Sequence, residues 1–387
     1  MFTKLNPMIL SYGLHPGGEI GLAQSIIRSS TLTTARSKAA TLRGGSGSLR
    51  LLIIGDSNVA GAGSGTSGPF LYVGARSRNF SSRLSGIYKF AQGSLIGAQR
   101  VNAQNSFLTF DPRISWVDGS IFNANCLGGD CVTTPNGDVG TIVFTPTESF
   151  DRVEIVYLSF PGNSVGSVTA DGEAVGTLNG DQALAARSSG VVSLSQRRST
   201  LTIEASDGAG MPILGILTWR SDEPAVLVMQ AGWAGGTMAH HVNSSSAITA
   251  GNMMGTFNPD LIIVNGLTGN DALLNTNTAT WETNMRTLVS KFQATGASFA
   301  WITGLNMGLA DPEDFPTAPA KSIELNAKIR EVCEELNISI LDMHDFWEPP
   351  TDHISQYYTF DNVHMNYDGN TTYAFEVSRY IEKLLAS

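Results

Sequence analysis

The sequence predicts an α/β domain with a parallel sheet, built from two stretches at about 48–105 and 224–387 and interrupted by an all-β domain at 106–223. Three observations predict it. Short continuous apolar runs such as Leu51-Leu52-Ile53-Ile54, Ala225 to Met229 and Leu261 to Val264 read as strands buried on both faces. From 224 onward such runs alternate with helical periods, and strand–helix alternation builds a parallel sheet covered on both sides. Residues 106–223 instead show almost no helical period. Val153, Ile155 and Tyr157 alternate with Arg152, Glu154 and Val156, and Leu201, Ile203 and Ala205 alternate with polar neighbours.

In chain order, residues 1–47 are rich in Ser, Thr, Gly and Ala and read as an arm plus linker. The strand at 51–54 follows, ending in Gly55. In the β-rich stretch, Asp118-Gly119, Asn136-Gly137, Asp171-Gly172, Asn179-Gly180 and Asp207-Gly208 are hairpin-type turn pairs. Short strands at that spacing predict a β-sandwich. Beyond 224, Trp281, Met285, Leu288, Val289 and Phe292 share one helix face. Ser298 to Ile302 is a strand, and Leu325, Ile329, Val332, Cys333 and Leu336 mark a second helix. Ile338 to Leu341 is another strand, and Ala374, Val377, Tyr380, Ile381 and Leu384 mark a C-terminal helix.

Composition excludes several classes. Lys+Arg 24 against Asp+Glu 34 gives a net charge of −10, and with no basic run the chain does not suit a phosphate backbone, so no nucleic-acid partner is expected. No apolar run approaches the ~18 residues of a membrane span, so no membrane partner is expected either. Met1 to Gly18 carry no continuous apolar core of a signal peptide. Three cysteines make no disulfide framework. Cys126 and Cys131 lack a second ligand pair for zinc, which leaves a loop disulfide or two thiols; no metal and no cofactor is expected.

Ligands of such a sheet bind at the carboxyl ends of its strands, and three polar clusters fall there. Gly55-Asp56-Ser57-Asn58 follows the first strand, where a serine can lift its hydroxyl out of the sheet, although Gly-Asp-Ser also serves as a plain turn. Gly269-Asn270-Asp271 lies five residues beyond Val264; an Asn amide there can hold an oxyanion or simply cap a helix. Asp361-Asn362-Val363-His364 precedes the last helix, and a carboxylate three residues from a histidine can fix its tautomer. His344 and His353 also have acidic neighbours.

These clusters, in this order, resemble the SGNH (GDSL-type) hydrolase family of esterases. Gly55-Asp56-Ser57-Asn58 matches its first block, with Asn where Leu is usual. Gln230 to Thr237 has the shape of its glycine loop, with Gly235 matching best and Gly236 competing. Asn270-Asp271 match Gly-x-Asn-Asp, although the glycine position is Thr268 and a glycine stands at 269 instead. Asp361 and His364 match Asp-x-x-His. The resemblance implies a flavodoxin-like three-layer fold with Ser57, Asp361 and His364 as the catalytic triad. It also implies an oxyanion hole from the Ser57 and Gly235 N–H groups and the Asn270 side chain. The β-rich stretch is similar in texture to the jelly-roll, carbohydrate-binding-module-like insertions of SGNH carbohydrate esterases, including phage tail-associated deacetylases.

The resemblance therefore implies a serine esterase removing O-acetyl or short acyl groups from a polysaccharide. On a phage particle, lysis would deliver it outside the cell, and residues 1–47 would serve virion or homo-oligomer contacts; otherwise it is cytoplasmic. Two other readings stand beside it: a glycan-binding or virion structural protein without turnover, and a lipase or thioesterase. Hydrolysis of p-nitrophenyl acetate separates enzyme from binder, and an acyl chain-length series separates acetylesterase from lipase. His240-His241 read as a surface pair at a helix start, with substrate contact the rival reading, and Trp233 reads equally as core or as a sugar-stacking wall. Trp116 and Trp219 read as core of the β domain.

Overall fold

A computed structural model describes residues 24–60, 90–96, 114–117, 120–126, 129–134, 140–146, 148–205, 209–233, 235–242, 250–304, 316–344, 364 and 367–386. Its first strands are β1 (Gln24–Ile26), β2 (Ser48–Gly55), β3 (Phe90–Ile96), β4 (Ile114–Val117), β5 (Ser120–Cys126) and β6 (Gly129–Thr133). Then come β7 (Thr141–Phe144), β8 (Phe150–Ser159), β9 (Val165–Ala170), β10 (Glu173–Asn179), β11 (Ala185–Ser188), β12 (Val192–Arg198), β13 (Leu201–Ala205) and β14 (Pro212–Trp219). The last are β15 (Ala225–Gly232), β16 (Leu261–Asn265), β17 (Ser298–Ile302) and β18 (Ser339–Asp342). The helices are α1 (Thr33–Arg43), α2 (Ser57–Ala60), α3 (Met238–Val242), α4 (Ala250–Met253), α5 (Gly269–Leu273), α6 (Thr278–Thr295), α7 (Ala318–Glu335) and α8 (Tyr367–Leu385).

β15, β2, β16, β17 and β18 lie side by side, each parallel to its neighbour. By chain order this is the flavodoxin-like arrangement 2-1-3-4-5. Side chains alternate between the sheet's faces, and both faces are covered. Leu52, Ile54, Met229, Val264 and Trp301 face one core with Trp281, Met285, Leu288 and Phe292 of α6 and Leu325, Ile329 and Val332 of α7. Leu51, Ile53, Val228, Ile263 and Ala300 face the other, with Ala35, Ala39 and Leu42 of α1 and Val377, Tyr380, Ile381 and Leu384 of α8. That is why these strands read as unbroken apolar runs. Truncating one such Leu or Ile to Ala costs about 2–5 kcal/mol.

Residues 24–47 correct the arm-and-linker reading. β1 pairs antiparallel with β18, and α1 buries Ala35, Ala39 and Leu42 in the second core. Ala is the strongest helix former, and its small side chain lets α1 sit close to the sheet; a Ser/Thr/Ala-rich stretch therefore hid a packed helix.

The β-rich region is joined to the parallel sheet through shared strands. β3 pairs parallel with β15 and antiparallel with β14, and β14 pairs antiparallel with β8. A second sheet, in the order β10-β9-β13-β7-β4, lays Ile142, Phe144, Val168, Leu201 and Ile203 over Val153, Ile155 and Tyr157 of β8 and Ile213 and Ile216 of β14. The opposite faces of these two strands, with Val156, Leu158, Leu214 and Leu217, join the core that holds α6 and α7. β8 and β14 are thus buried on both faces, although Arg152, Glu154 and Val156 alternate with Val153, Ile155 and Tyr157 along β8. The polar Glu154 is paired: the Arg50 guanidinium donates to its Oε2 at 2.5 Å and the Ser188 hydroxyl to its Oε1 at 2.5 Å. Arg50 also donates to the Phe257 carbonyl at 3.1 Å and lies over the ring of Trp219, which is buried in the core that holds α6 and α7 and not in the core of the β domain where the sequence put it.

Asp171-Gly172, with φ of 46° and 82°, makes the expected tight hairpin between β9 and β10. Asn179-Gly180 does not. Gly180 donates its N–H to the Ser164 carbonyl, and a Cβ there would stand 2.4 Å from that oxygen, so close backbone approach requires the glycine. The other three turn pairs lie outside the described residues. In the β5–β6 hairpin, Phe122 stands opposite Cys131 and Gly129 opposite Cys126, so the two cysteines are not cross-strand partners.

Candidate active site

The strand order reverses at β2, so the loops leaving β15, β2 and β16 open side by side at the carboxyl edge of the sheet. Each delivers a motif. Gly55 ends β2 where a Cβ would stand 2.3 Å from the Val59 side chain and 3.1 Å from the Asn265 carbonyl oxygen. Glycine lets α2 begin at once and places Ser57, itself buried, beyond the strand.

His364 comes from the other end of the chain, and its Nε2 lies 2.7 Å from Ser57 Oγ. If that nitrogen accepts the serine proton, the neutral ring carries its own proton on Nδ1, the atom a carboxylate partner would hold. Asp361 lies outside the described residues.

The β15 loop is folded back on its neighbours. Trp233 donates its N–H to the Gly55 carbonyl at 2.9 Å, and Gly236 donates its N–H to the Trp233 carbonyl at 2.8 Å. Between them Gly235 is exposed at φ 74°, a left-handed conformation that glycine adopts without strain. The Gly236 N–H is committed to a turn. Among the described residues, the Gly235 N–H has no backbone acceptor.

Two residues of the β16 loop clamp this turn. Asn270 donates from Nδ2 to the Gly236 carbonyl at 3.0 Å, which uses one of its two amide hydrogens and leaves the other. The Asp271 carboxylate, buried, accepts from the Met238 N–H at 2.7 Å and from the Thr276 hydroxyl at 2.7 Å. Burial holds the Asp271 carboxyl above its ordinary range against these hydrogen bonds, because removing a carboxylate from water disfavours its charge.

The displaced glycine of this block has a physical explanation. Thr268 sits at φ −113°, which any residue adopts, and the left-handed pair comes earlier, at Gly266 and Leu267, both at φ 61°. A non-glycine there stores of order 1–3 kcal/mol of strain. Two contacts hold it: Gly266 N–H to the Ile302 carbonyl at 2.8 Å, and the Trp281 indole N–H to the Leu267 carbonyl at 3.1 Å. Behind the loop, the Tyr373 hydroxyl donates to Asn265 Oδ1.

The two histidines of α3 part company. His240 is exposed and stacks on Trp233 at 5.0 Å between ring centroids. His241 is fully buried, edge-on to the same indole at 5.7 Å, and among the described residues neither ring nitrogen has a hydrogen-bond partner. That corrects the reading of a surface pair. Desolvation first, then the charge of His240, pushes the His241 pKa down to about 3. Trp233 is half-buried, between its two readings. Sequence reasoning passed over the Asp271 clamp, although the residue stood in the motif, because a hydrogen bond to a backbone N–H 33 positions away leaves no sequence signal. Among the described residues, no three His, Cys, Asp or Glu side chains gather as a metal site.

Residues 216–371 match the model of the GDSL-like Lipase/Acylhydrolase family. The matched stretch holds the Gly235 loop, Asn270-Asp271 and His364. Ser57 precedes the matched stretch; the fold brings it to His364. Among solved structures, a peptidoglycan O-acetylesterase superposes with a TM-score of 0.67 at 18% identity, covering 94% of this chain and 99% of that one. A GDSL-like lipase from Bacteroides thetaiotaomicron is similar at 19% identity and TM-score 0.33, over 41% of this chain and 76% of that one. An acetyl xylan esterase is similar at 16% identity and TM-score 0.31, over 39% and 79%. No curated protein matches the chain in sequence.

Proposed function

We propose that the protein is a serine esterase that removes O-acetyl groups from a polysaccharide. One observation carries this reading: a hydroxyl and an imidazole nitrogen 307 residues apart in sequence meet at 2.7 Å at the carboxyl edge of the sheet. Ser57 Oγ attacks the acetyl carbonyl carbon while His364 Nε2 takes its proton. The bond from carbonyl carbon to sugar oxygen then breaks, and the imidazolium returns the proton to the leaving sugar hydroxyl. Water attacks the acetyl-Ser57 ester with the same histidine as base, releasing acetate and restoring the serine. Asp361, three residues before His364 in the Asp-x-x-His block, holds Nδ1–H and steadies the imidazolium.

The oxyanion that forms in each half-reaction is held by the Ser57 N–H, the Gly235 N–H and the uncommitted amide hydrogen of Asn270. Because the other amide hydrogen of Asn270 is tied to Gly236, the two donors are set relative to each other before substrate arrives, which makes such a site effective. Acetyl and glycan are favoured because a solved structure that superposes over nearly the whole chain is that of a peptidoglycan O-acetylesterase. The test is acetate release from a panel of O-acetylated peptidoglycan, xylan and other glycans, beside p-nitrophenyl esters from acetate to decanoate, with Ser57→Ala as control. The reading predicts serine-dependent acetate release from at least one glycan and falling rates with longer acyl chains. Turnover unchanged in Ser57→Ala contradicts it, and a preference for decanoate favours a lipase.

A further inference from the structure

On the esterase reading, the acetyl group sits at Ser57 and the sugar that carries it must lie against a neighbouring wall. A pyranose ring has apolar C–H faces and hydroxyl edges, so an aromatic ring beside a hydrogen-bond donor suits it. Among the side chains whose burial is described, every Phe, Tyr and Trp is buried except Trp233 and Phe160, both half-buried. The exposed large apolar side chains are aliphatic, such as Leu184, Val191 and Leu274.

Both aromatic rings stand at the same edge of the sheet. Trp233 bonds through its N–H to Gly55, two residues before Ser57, and Gly235 follows two residues later, within about 7 Å of chain. His240 lies flat on Trp233, and the Thr237 N–H points at its Nδ1 from 3.1 Å. Nδ1 is thereby an acceptor, so the neutral ring carries its proton on Nε2, a donor for a sugar hydroxyl.

Phe160 follows the last residue of β8. β8 runs parallel to β15, because β3 is parallel to β15 and β14 is antiparallel to both β3 and β8. Register aligns them: Met229 pairs with Ser94, which sets Ala231 level with Ile96, and Gly215 pairs with both Ile96 and Val156. Phe160, four residues past Val156, therefore leaves the sheet at the edge where Gly235, four past Ala231, leaves it. Three strand spacings separate the two strands, about 14 Å.

We propose that Trp233 with His240, and Phe160 with the end of β8, are the near and far ends of a sugar-binding track along this edge, so that the enzyme takes its acetylated unit within an oligosaccharide. The track gives the continuous sheet a purpose: β3 and β14 fix the far wall relative to Ser57. Binding far from the ester can orient the ester, so the track raises kcat/KM with oligosaccharide length.

The probes are O-acetylated chito- and xylo-oligosaccharides of one and four units, with an aliphatic acetate ester as reference, because a p-nitrophenyl ring would itself stack on Trp233. His240→Ala should lower kcat/KM for one-unit and four-unit substrates alike, at least ten-fold relative to the aliphatic ester. Phe160→Ala should lower the four-unit to one-unit ratio at least ten-fold. Trp233→Leu should behave as His240→Ala does. Ratios within two-fold of the unmutated protein overturn the track, and so does a Phe160→Ala effect equal for one and four units. Calorimetric titration of the non-acetylated tetramers separates this proposal from the esterase reading: a protein that turns over no ester contradicts that reading, whereas binding weakened ten-fold in both His240→Ala and Phe160→Ala still supports the track.

Discussion

The carboxyl edge at β2, β15 and β16 and the stacked strands β8 and β14 belong to one sheet and treat polar groups in opposite ways. At the edge, buried and half-buried polar groups bind one another across loops: Ser57 to His364, Asn270 to Gly236, Asp271 to Met238. Left-handed backbone at Gly235, Gly266 and Leu267 shapes those loops. β8 and β14 are instead closed in apolar side chains on both faces, with the ion pair Arg50–Glu154 joining β8 to β2. One region gathers polar groups in loops, where the proposed chemistry would lie; the other holds its position by packing. Damage to the first should remove activity and spare the fold, and damage to the second should lower stability while the protein that remains folded still turns over substrate.

The largest expected effect is at the edge. Ser57→Ala and His364→Ala should each lower kcat by about 10⁴–10⁶ toward p-nitrophenyl acetate, and the double variant should lose little more, since such groups act as a unit. The urea midpoint of Ser57→Ala should stay where it is. Losses that multiply in the double variant would mean that the two side chains act apart.

Glu154→Ala tests the other region. It leaves the Arg50 charge buried and unpaired, which costs about 3–5 kcal/mol, whereas replacing both residues with Leu should recover most of that. Urea denaturation reads this, and the shared core predicts one cooperative transition. Two separate transitions would show the β-rich region folding on its own.

Asn270→Ala should lower kcat by about 10²–10³, or 2.7–4 kcal/mol, with KM little changed, because an oxyanion donor strengthens its bond in the transition state. A large KM rise at constant kcat would assign Asn270 to ground-state binding instead.

The smallest effect is thermodynamic. The His241 pKa in the folded protein is about 3, below the ordinary 6.5, so the unfolded chain takes up a proton that the folded one refuses. Stability from this group is present above pH 6.5 and is lost as pH falls, by about 2 kcal/mol between pH 7 and 5. His241→Phe should flatten that slope in melts across this range; an unchanged slope would mean that other groups carry it.

Much of the edge was legible because its polar residues sit in contiguous motifs. Gly55 to Asn58 and Asn270-Asp271 lie directly after apolar runs, and the helix period of Trp281, Met285, Leu288 and Phe292 matches the buried face of α6. The packed half was less legible, because its signals are relations between distant strands. Nothing local to Phe90–Ile96 says that it pairs with β15 on one side and β14 on the other. The alternation along β8 reports one face only, and Glu154 reads as a solvent residue until Arg50 arrives from 104 positions away. α1 hid for a different reason: its buried Ala35, Ala39 and Leu42 keep the i, i+4, i+7 period, but two alanines among Ser, Thr and Gly do not stand out as an apolar face.

The claim that chemistry resides at Ser57 is tested most directly by a fluorophosphonate, whose tetrahedral adduct mimics the intermediate of acyl transfer. Mass spectrometry of the labelled protein should show one adduct, on the peptide carrying Ser57, formed far more slowly in Asn270→Ala and His364→Ala. An adduct on another residue, or none in a folded protein that still hydrolyses acetate esters, would contradict it.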